Sequence, residues 1–581
     1  MLKKLSKSVR EYKKPALLTP LFMIGEVTCE CVIPTLTAYL INTIQANGAF
    51  ADIVKYGLGL LGMAMLSLMF GALAGKFAAD ASTGFAKNLR KDLFYRVQSF
   101  SFANIDKFST SSLVTRLTTD VTNVQMSFMM IIRVAVRAPL MLIFSSIMSA
   151  NLGGKLAWVF VGFLPLLAFG VIMMTVFVMP LFKAVFKKYD DVNASVQENI
   201  KGIRVVKSFV REEYEKEKFG KASDMLRANF LKAERIIAGA APLMQVAMYG
   251  SMILLSYFCA KNVINYLGTD LEVGTISGML TYSMQILMSL MMATMIFVTV
   301  TISIASAKRI TEVLDEESDI TAPEDPVTEV ESGSVDFDHV SFKYVKTAEN
   351  NALDDIDLHI PAGATVGVIG GTGVGKTTLI QLISRLYDVT EGEVRVGGVD
   401  VRRYDLETLR NEVAVVLQKN VLFSGTIKEN MRWGKPDATD EEIEYYCRLA
   451  QASEFIEAFP DKYDTYIEQG GANVSGDQQQ RLCIARALLK QPKILILDDS
   501  TSAVDTRTDA LIRKTFREEI PNTTKIIIAQ RIASVQDADM IVVMENSKID
   551  AVGTHDTLLG TNEIYTEVYE SQTKGGDFDE Q

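Results

Sequence analysis

The sequence has few of the residues that build disulfide frameworks or metal clusters. Its 581 residues include only 5 cysteines and 3 histidines. Cys29 and Cys31 lie close together, but they sit inside an apolar run without a nearby histidine, so a metal site is not indicated. This composition excludes a small disulfide-stapled scaffold, a collagen and a low-complexity disordered chain. It favours reduced, structural cysteines in a non-oxidising compartment.

The net charge of −11 conceals two halves of opposite sign. Residues 1–320 carry a net charge of +9, whereas residues 321–581 carry −20. Mean hydropathy is +0.17 although 22% of the residues are charged, so part of the chain must be strongly apolar. The acidic half argues against nucleic acid as a partner, because phosphate binding needs a basic surface.

Long stretches of the first half lack charged side chains, most clearly residues 273–307. A helix needs about 20 apolar residues to cross a bilayer. Runs of this length occupy residues 16–44, 53–80, 125–150, 156–182, 238–268 and 273–305. The sequence therefore predicts six membrane-spanning helices. The first run is too long for a signal peptide and lacks a cleavage site, so we expect it to be retained.

The distribution of basic residues predicts the orientation of these helices in the cell membrane. The first 15 residues are rich in lysine and arginine, and so are the stretches 87–116 and 183–235. The connections 42–53 and 262–273 contain neither residue. By the positive-inside rule, the N-terminus and the acidic half are cytosolic. The lack of proline between residues 180 and 242 favours long helices that continue into the cytosol.

Four of the charged residues inside the predicted spans form two pairs with helical spacing. Glu26 and Glu30 lie four residues apart in the first span, and Arg133 and Arg137 lie four residues apart in the third. Charges at this depth need a partner or an aqueous cavity, so we expect pairing between the two spans. The sequence leaves two roles open for them, contact with a transported substrate or fixation of the helix packing.

The composition changes abruptly near residue 322, where the sequence becomes acidic and contains short β-type runs. This change predicts a transmembrane domain over residues 1–320, a linker over 321–332, a second domain over 333–575 and an acidic tail over 576–581. The second domain contains a complete G-x-x-x-x-G-K-[ST] motif between a predicted strand, 365–369, and a predicted helix. The motif consists of Gly370, Gly371, Thr372, Gly373, Val374, Gly375, Lys376 and Thr377, and Thr378 follows it.

This motif predicts an ATP-binding loop, because its glycines let backbone N–H groups approach phosphates. Lys376 neutralises the β- and γ-phosphate charge, and Thr377 is a ligand for Mg²⁺. Asp498 ends a second apolar strand, where a carboxylate suits coordination of the same ion. Tyr344 is a candidate to stack on the base, although a structural role in the core is the alternative.

Several further segments resemble motifs of the ATP-binding cassette (ABC) exporters. Residues 474–478 resemble the family's signature motif and Gln418 its Q-loop. Residues 502–505, 468–471, 198–209 and 307–310 resemble its D-loop, its exporter-specific loop, its cytosolic loop and its exit from the sixth span. The resemblance covers nearly the whole chain. It implies an all-α transmembrane domain of six helices, as in type I ABC exporters, followed by an α/β P-loop nucleotide-binding domain.

The resemblance also implies partners and roles. A second half-transporter pairs with the chain, and each ATP lies between the P-loop of one chain and the signature of the other. Ser475, Gly476 and Gln478 are then nucleotide contacts of the signature. Gln418 is then both a catalytic residue and a ligand of Mg²⁺, together with Thr377 and Asp498. The implied substrate is a hydrophobic or amphipathic small molecule in contact with membrane lipid. Short helices near 106–114 and 209–217 are expected to transmit the motion.

The sequence departs from the family pattern at the implied catalytic positions. Asp499 stands where the family usually has the glutamate that acts as general base, and Gln530 stands where it usually has histidine. Asp477 places an acidic side chain inside the signature. The paired departures at Asp499 and Gln530 resemble the degenerate subunit of heterodimeric, multidrug-type exporters. The alternatives are a homodimeric drug, peptide or lipid exporter with slow hydrolysis, and an ATP-gated regulatory subunit with little turnover.

Overall fold

The structure, a computed structural model, covers most of the chain. It describes residues 1–154, 195–265, 272–345, 347–499 and 505–576, together with isolated positions between 154 and 195. The predicted span 156–182 therefore lies almost entirely outside the described residues. The same holds for residues 502–504 of the segment that resembles the D-loop.

The chain divides into two compact units. The first unit comprises Met1–Gln98 and Thr110–Glu316, and the second comprises Ser99–Ser109 and Glu317–Gln581. A short piece of the N-terminal half, between two long helices, thus belongs to the second unit.

Long helices form the first unit. In chain order, the main helices among the described residues of the N-terminal half are α1 (Lys13–Gln45), α2 (Phe50–Gln98), α3 (Phe102–Lys107), α4 (Thr110–Thr115), α5 (Val121–Gly153), α6 (Ile203–Ser208), α7 (Glu212–Asn265) and α8 (Val273–Asp315). At about 1.5 Å per residue, α2 is about 74 Å long and α7 about 81 Å. Both exceed the hydrocarbon thickness of about 30 Å, so they extend well beyond it. For α7, the lack of proline between residues 180 and 242 predicts this extension.

Four helical segments among the described residues are long and apolar enough to cross a membrane. They are Lys3–Gln45, Phe50–Gln98, Thr110–Gly153 and Val273–Ala293. The fifth predicted span corresponds to the C-terminal part of α7, which contains the shorter apolar stretch Tyr249–Phe258. Small residues bring the helices close together. Ala74, Ala78 and Ala81 of α2 are fully buried, as expected where helices associate through van der Waals contact.

Polar contacts fasten the ends of these helices. Asp120, fully buried just before α5, accepts hydrogen bonds from the Arg309 guanidinium of α8, one of them at 2.8 Å. Asn123 donates to the Ser306 hydroxyl at 3.1 Å. The N-terminal segment is attached to α2, because Asp92 accepts hydrogen bonds from Ser8 and, at 2.6 Å, from Arg10.

The expected pairing between the first and third spans is present, but only one arginine takes part. Arg137 of α5 forms ion pairs with both Glu26 and Glu30 of α1. Arg133 is half-buried and forms no ion pair within the described part of the chain. The described cysteines Cys29, Cys31, Cys447 and Cys483 are free and buried, and the side chain of Cys259 lies outside the described residues.

Two sheets form the framework of the second unit. Its strands are β1 (Val335–Phe342), β2 (Leu353–Ile360), β3 (Thr365–Gly370), β4 (Glu391–Val396), β5 (Val399–Asp400), β6 (Val413–Val416), β7 (Gly425–Thr426), β8 (Tyr466–Ile467), β9 (Ile494–Asp498), β10 (Thr524–Ile528), β11 (Met540–Glu545) and β12 (Lys548–Gly553). A four-stranded antiparallel sheet has the order β2-β1-β4-β5. A six-stranded sheet has the order β12-β11-β3-β10-β9-β6, in which only β12 is antiparallel to its neighbour.

The helices of this unit cover the sheets and complete its core. They are α9 (Lys376–Ile383), α10 (Leu406–Glu412), α11 (Ile427–Met431), α12 (Asp440–Leu449), α13 (Ser453–Glu457), α14 (Gly476–Leu489), α15 (Thr506–Glu519), α16 (His555–Leu558) and α17 (Glu563–Gly576). The central strands β3, β9 and β10 are mostly apolar and almost completely buried, as expected for parallel strands that are covered on both faces. Because these three strands are adjacent and parallel, their carboxyl ends meet at one edge of the sheet.

Candidate nucleotide-binding site

The predicted phosphate-binding loop connects β3 to α9. Gly375 precedes α9 with a φ of +100°, and a Cβ atom there would lie 2.6 Å from the backbone oxygen of Ala352. Only glycine satisfies both conditions without strain. The turn aims the first backbone N–H groups of α9 into the space beyond the sheet edge, where an anion is favoured.

Lys376 reaches back across this loop. Its Nζ donates hydrogen bonds to the carbonyl oxygens of Gly370 and Gly371, both at 2.7 Å. Burial lowers the pKa of Lys376, while the carboxylates of Asp499 and Asp498 act in the opposite direction. The ammonium group is therefore held at the loop and surrounded by groups that can bind phosphate or a cation.

Asp498 ends β9 directly beside the loop and is almost fully buried. The Thr377 hydroxyl donates to its Oδ1 at 3.2 Å. Burial raises the pKa of Asp498, and the neighbouring charge of Asp499 raises it further, while the hydrogen bond from Thr377 lowers it. A carboxylate and a hydroxyl at this separation are the oxygen ligands that Mg²⁺ prefers, so the residues present fit that ion.

Asp499 has an unusual backbone conformation and two amide partners. Its φ is +48°, a left-handed conformation that aspartate tolerates better than most residues, and its N–H donates to the carbonyl of Ile528 at 3.0 Å. Its Oδ2 accepts a hydrogen bond from Gln530 Nε2 at 2.7 Å and another from Gln418 Nε2 at 3.3 Å. The strand ends thus bring together the three residues that the sequence assigns to catalysis.

Tyr344 is half-exposed at the mouth of the site rather than part of the core. Its hydroxyl forms a hydrogen bond with Thr378 at 2.9 Å and donates to Gln381 at 3.0 Å. Its ring meets the rings of Phe342 and Tyr387 edge-on, at centroid distances of 4.9 and 5.2 Å. These contacts hold one face of the ring in position and favour the base-stacking interpretation over the core interpretation.

These groups surround a pocket of about 560 Å³, a volume within the usual range for small-ligand sites. The predicted residues that line it are Tyr344, Gly370, Gly371, Thr372, Gly373, Gly375, Lys376, Thr377, Thr378, Gln418, Asp498, Asp499 and Gln530. Val374 does not line it and packs against the core instead. The lining also includes apolar residues that carry no sequence signal, Ala352 and Val568 among them.

The signature residues lie apart from this pocket, at the start of α14. Ser475 caps the helix, because its hydroxyl accepts a hydrogen bond from the Gln478 N–H at 3.2 Å and the Gln478 side chain bonds back to the Ser475 N–H. Ser475 and Gly476 are exposed, and neither belongs to the described lining of the pocket. The site of one chain is therefore built without its own signature.

Asp477 is directed along its own helix toward Arg481. The two side chains form an ion pair at the i,i+4 spacing. Arg481 is fixed in turn, because it donates to the carbonyl of Gln451 at 2.8 Å and lies over the Phe455 ring at 4.9 Å. The negative charge of Asp477 is thereby paired within its own chain.

The second unit includes a contact that the sequence did not predict. Helix α3 begins at a Ser101–Asn104 capping box. Tyr387 donates to Asp106 Oδ2 at 2.6 Å, and its ring meets Phe102 edge-on at 6.1 Å. The expected short helix near 106–114 is thus two helices, α3 and α4, and α3 carries the contact. The other short helix was expected near 209–217. The structure has it earlier in the chain, as α6, which ends at Ser208, and the long helix α7 begins at Glu212.

Comparison with known proteins agrees with this architecture. Residues 17–313 match the family model of the ABC transporter transmembrane region, and residues 353–502 match that of the ABC transporter. The ABC transporter ATP-binding protein YfiB of Bacillus subtilis is 34% identical over 564 residues and covers 97% of each chain. The putative multidrug export ATP-binding/permease protein YgaD of the same organism is 32% identical over 592 residues, covering 98% of this chain and 99% of its own.

A solved bacterial Atm1-family ABC exporter with ATP bound has the same fold. Its TM-score is 0.80 at 23% identity, over 97% of this chain and 98% of its own. The chain belongs to the ABC transporters and has the type I exporter architecture. It is a membrane protein with a cytosolic nucleotide-binding domain that binds ATP and couples its hydrolysis to transport. Exporters of this family work as dimers, so one chain is half of a transporter.

Proposed function

We propose that the chain is one subunit of a heterodimeric, multidrug-type exporter and that its own ATP site is impaired in hydrolysis. The observation that supports this most directly is the Asp499 carboxylate, which accepts hydrogen bonds from two glutamine amides, Gln530 and Gln418. Neither amide can accept a proton or carry charge at neutral pH. These two partners therefore hold the carboxylate in place without assisting proton transfer themselves.

The length of Asp499 supports the same conclusion. Aspartate is one methylene shorter than the glutamate of the family pattern, so its carboxylate lies farther from a water near the γ-phosphate. A displacement of about 1 Å can cost about 100-fold in rate. We infer that the site binds ATP with Tyr344, the 370–378 loop and Asp498, together with Mg²⁺, yet hydrolyses it slowly.

The signature residues support a role for this chain in the ATP site of the partner half-transporter. The exposed Ser475 and Gly476, with Gln478, are free to contact an ATP held by a second half-transporter. Because Arg481 pairs with Asp477, the acidic side chain is turned along α14, and its repulsion of a phosphate is reduced. The substrate we infer is a hydrophobic or amphipathic small molecule, in line with the multidrug export named for the relative YgaD.

The decisive experiment combines co-purification of the partner half-transporter with ATPase measurements. We expect the chain alone to hydrolyse ATP slowly, and Asp499→Glu to raise the turnover of the assembled complex. Asp461→Glu provides a matched control, because it makes the same chemical change at an exposed position of the same unit. Substrate-stimulated turnover by the purified chain alone would contradict the heterodimer.

A second candidate is a homodimeric exporter with slow hydrolysis, which the retained carboxylate at Asp499 favours. In that case two identical sites both hydrolyse ATP, and no second half-transporter co-purifies with the chain. Asp499→Glu would then accelerate the chain by itself. Ion currents without turnover would instead indicate an ATP-gated regulatory subunit.

A further inference from the structure

Three charged side chains meet halfway along the membrane helices of the first unit. Glu26 and Glu30 lie one turn apart on α1, near the middle of the apolar run 16–44. Arg137 of α5 lies opposite them and donates to Glu26, and also to both carboxylate oxygens of Glu30 at 2.9 and 2.8 Å. We refer to Glu26, Glu30 and Arg137 as the intramembrane triad.

The triad is not electrically balanced. Two carboxylates face one guanidinium, so its formal charge is −1. Glu26 is only 7% exposed, and its Oε2 is buried without a hydrogen-bond partner among the described residues. A buried, unpartnered carboxylate oxygen at membrane depth is unfavourable unless a positive charge is supplied to it.

The surroundings close one side of the triad and leave the other open. On the α2 side, a Cβ atom at Gly71 would lie only 3.3 Å from either carboxylate oxygen of Glu26. The side chain of Glu30 is 25% exposed and that of Arg137 is 22% exposed, so a ligand can reach the triad from the side of these two residues. A ligand would therefore approach past Glu30 and face the excess charge.

The neighbouring side chains favour an organic ligand. Met141, one turn after Arg137, contacts Cys31 at 3.7 Å between the sulfur atoms. A thioether beside a carboxylate suits an organic cation, because the thioether adapts to its apolar part while the carboxylate holds its charge.

We propose that the intramembrane triad binds the positively charged group of a transported amphiphile, such as an ammonium or phosphonium, and that Glu26 and Glu30 select cationic substrates. This inference rests on the export function proposed above and names its substrate class. Arg137 positions the two carboxylates, and the bound cation supplies the positive charge that Arg137 alone does not provide to them.

Equilibrium binding to the purified complex in lipid nanodiscs, without nucleotide, tests the site. The probes are tetraphenylphosphonium and its uncharged relative triphenylphosphine oxide. We expect Glu26→Gln to weaken tetraphenylphosphonium binding by about tenfold and to change binding of the oxide by less than about twofold. Glu234→Gln, the same change at an exposed position of α7, should leave both affinities unchanged.

Glu30→Gln removes one charge at a half-exposed position. It must weaken tetraphenylphosphonium binding with the same selectivity, and it serves as the test if Glu26→Gln fails to fold. Equal affinity of the wild-type complex for the two probes would overturn the proposal, and so would unchanged tetraphenylphosphonium binding in a folded variant. If the triad binds only a proton, the wild-type complex has equal affinity for the two probes.

ATP-dependent uptake of amphiphiles into inside-out vesicles is measured separately. If no amphiphile is taken up, the export function is contradicted. The binding measurement decides whether the triad binds cations. The two failures are therefore distinguishable.

Discussion

The contact between Tyr387 and helix α3 yields a prediction that the structure makes quantitative. The Tyr387 hydroxyl is 2.6 Å from Asp106 Oδ2, and burial and the Asp106 charge raise the pKa of Tyr387, so it remains a donor at neutral pH. Tyr387→Phe removes this hydrogen bond and leaves the ring contact with Phe102 in place. The bond from Asn104 to the carbonyl of Glu317, at 3.1 Å, also remains.

A hydrogen bond to a charged group contributes about 1.5–3 kcal/mol. Because Asp106 is exposed, we take the lower end, about 1.5 kcal/mol, which is about tenfold in the equilibrium for local release of α3. Hydrogen exchange of the Ser101–Ser109 amides in the full chain should therefore accelerate by about tenfold. The affinity for ATP should change by less than about twofold, because Tyr387 does not line the pocket among the described residues.

Tyr404→Phe provides the matched control. Tyr404 is fully buried in the same unit, and its hydroxyl donates to the carbonyl of Val396 at 2.8 Å rather than to α3. We expect this variant to lower the stability of the second unit without a selective effect on Ser101–Ser109. If Tyr387→Phe leaves exchange of those amides unchanged, or if Tyr404→Phe accelerates it equally, the reasoning is refuted.

Three further predictions concern the ATP site and the signature. Lys376→Ala should weaken nucleotide binding at this site by about 10- to 100-fold, yet spare part of the complex's hydrolysis; complete loss would argue against two unequal sites. Arg481→Gln should release the Asp477 carboxylate and reduce the ATPase activity of the complex. Adding Asp477→Gly to this variant should restore the activity. If the activity is not restored, Arg481 acts through packing alone. Asp498→Asn should raise the thermal midpoint of the nucleotide-free chain at pH 7, because the raised pKa makes the ionised carboxylate unfavourable in the folded state above that pKa. The same variant should lose the stabilisation by MgATP, and differential scanning calorimetry with and without MgATP measures both effects.

Much of the ATP site follows from local patterns. The motif predicted a glycine-rich phosphate-binding loop at residues 370–377. The positive φ of Gly375 and its close approach to the Ala352 backbone explain why that position takes glycine. Asp498 was predictable as the end of an apolar strand. The Asp477–Arg481 pair lies at i,i+4 on one helix, so the sequence contained that signal as well.

Other features depend on contacts between distant segments. Arg133 and Arg137 look equivalent in sequence, yet only Arg137 faces Glu26 and Glu30, because the rotation of α5 about its axis is set by packing against its neighbours. The convergence of two glutamine amides on Asp499 likewise depends on the order of the strands. Residues 530 and 418 lie 31 and 81 positions away, and only the sheet order places them beside the same carboxylate.

The sequence by itself determined what the chain is made of: apolar helices long enough to cross a membrane, a phosphate-binding loop, and catalytic positions that depart from the family pattern. These follow from short-range requirements on hydropathy, backbone conformation and side-chain chemistry. The tertiary structure alone decided which charges meet, that Ser99–Ser109 joins the nucleotide-binding unit, and that the intramembrane triad is left with an excess negative charge. Pairings of this kind depend on how helices rotate and strands order, which no local pattern specifies.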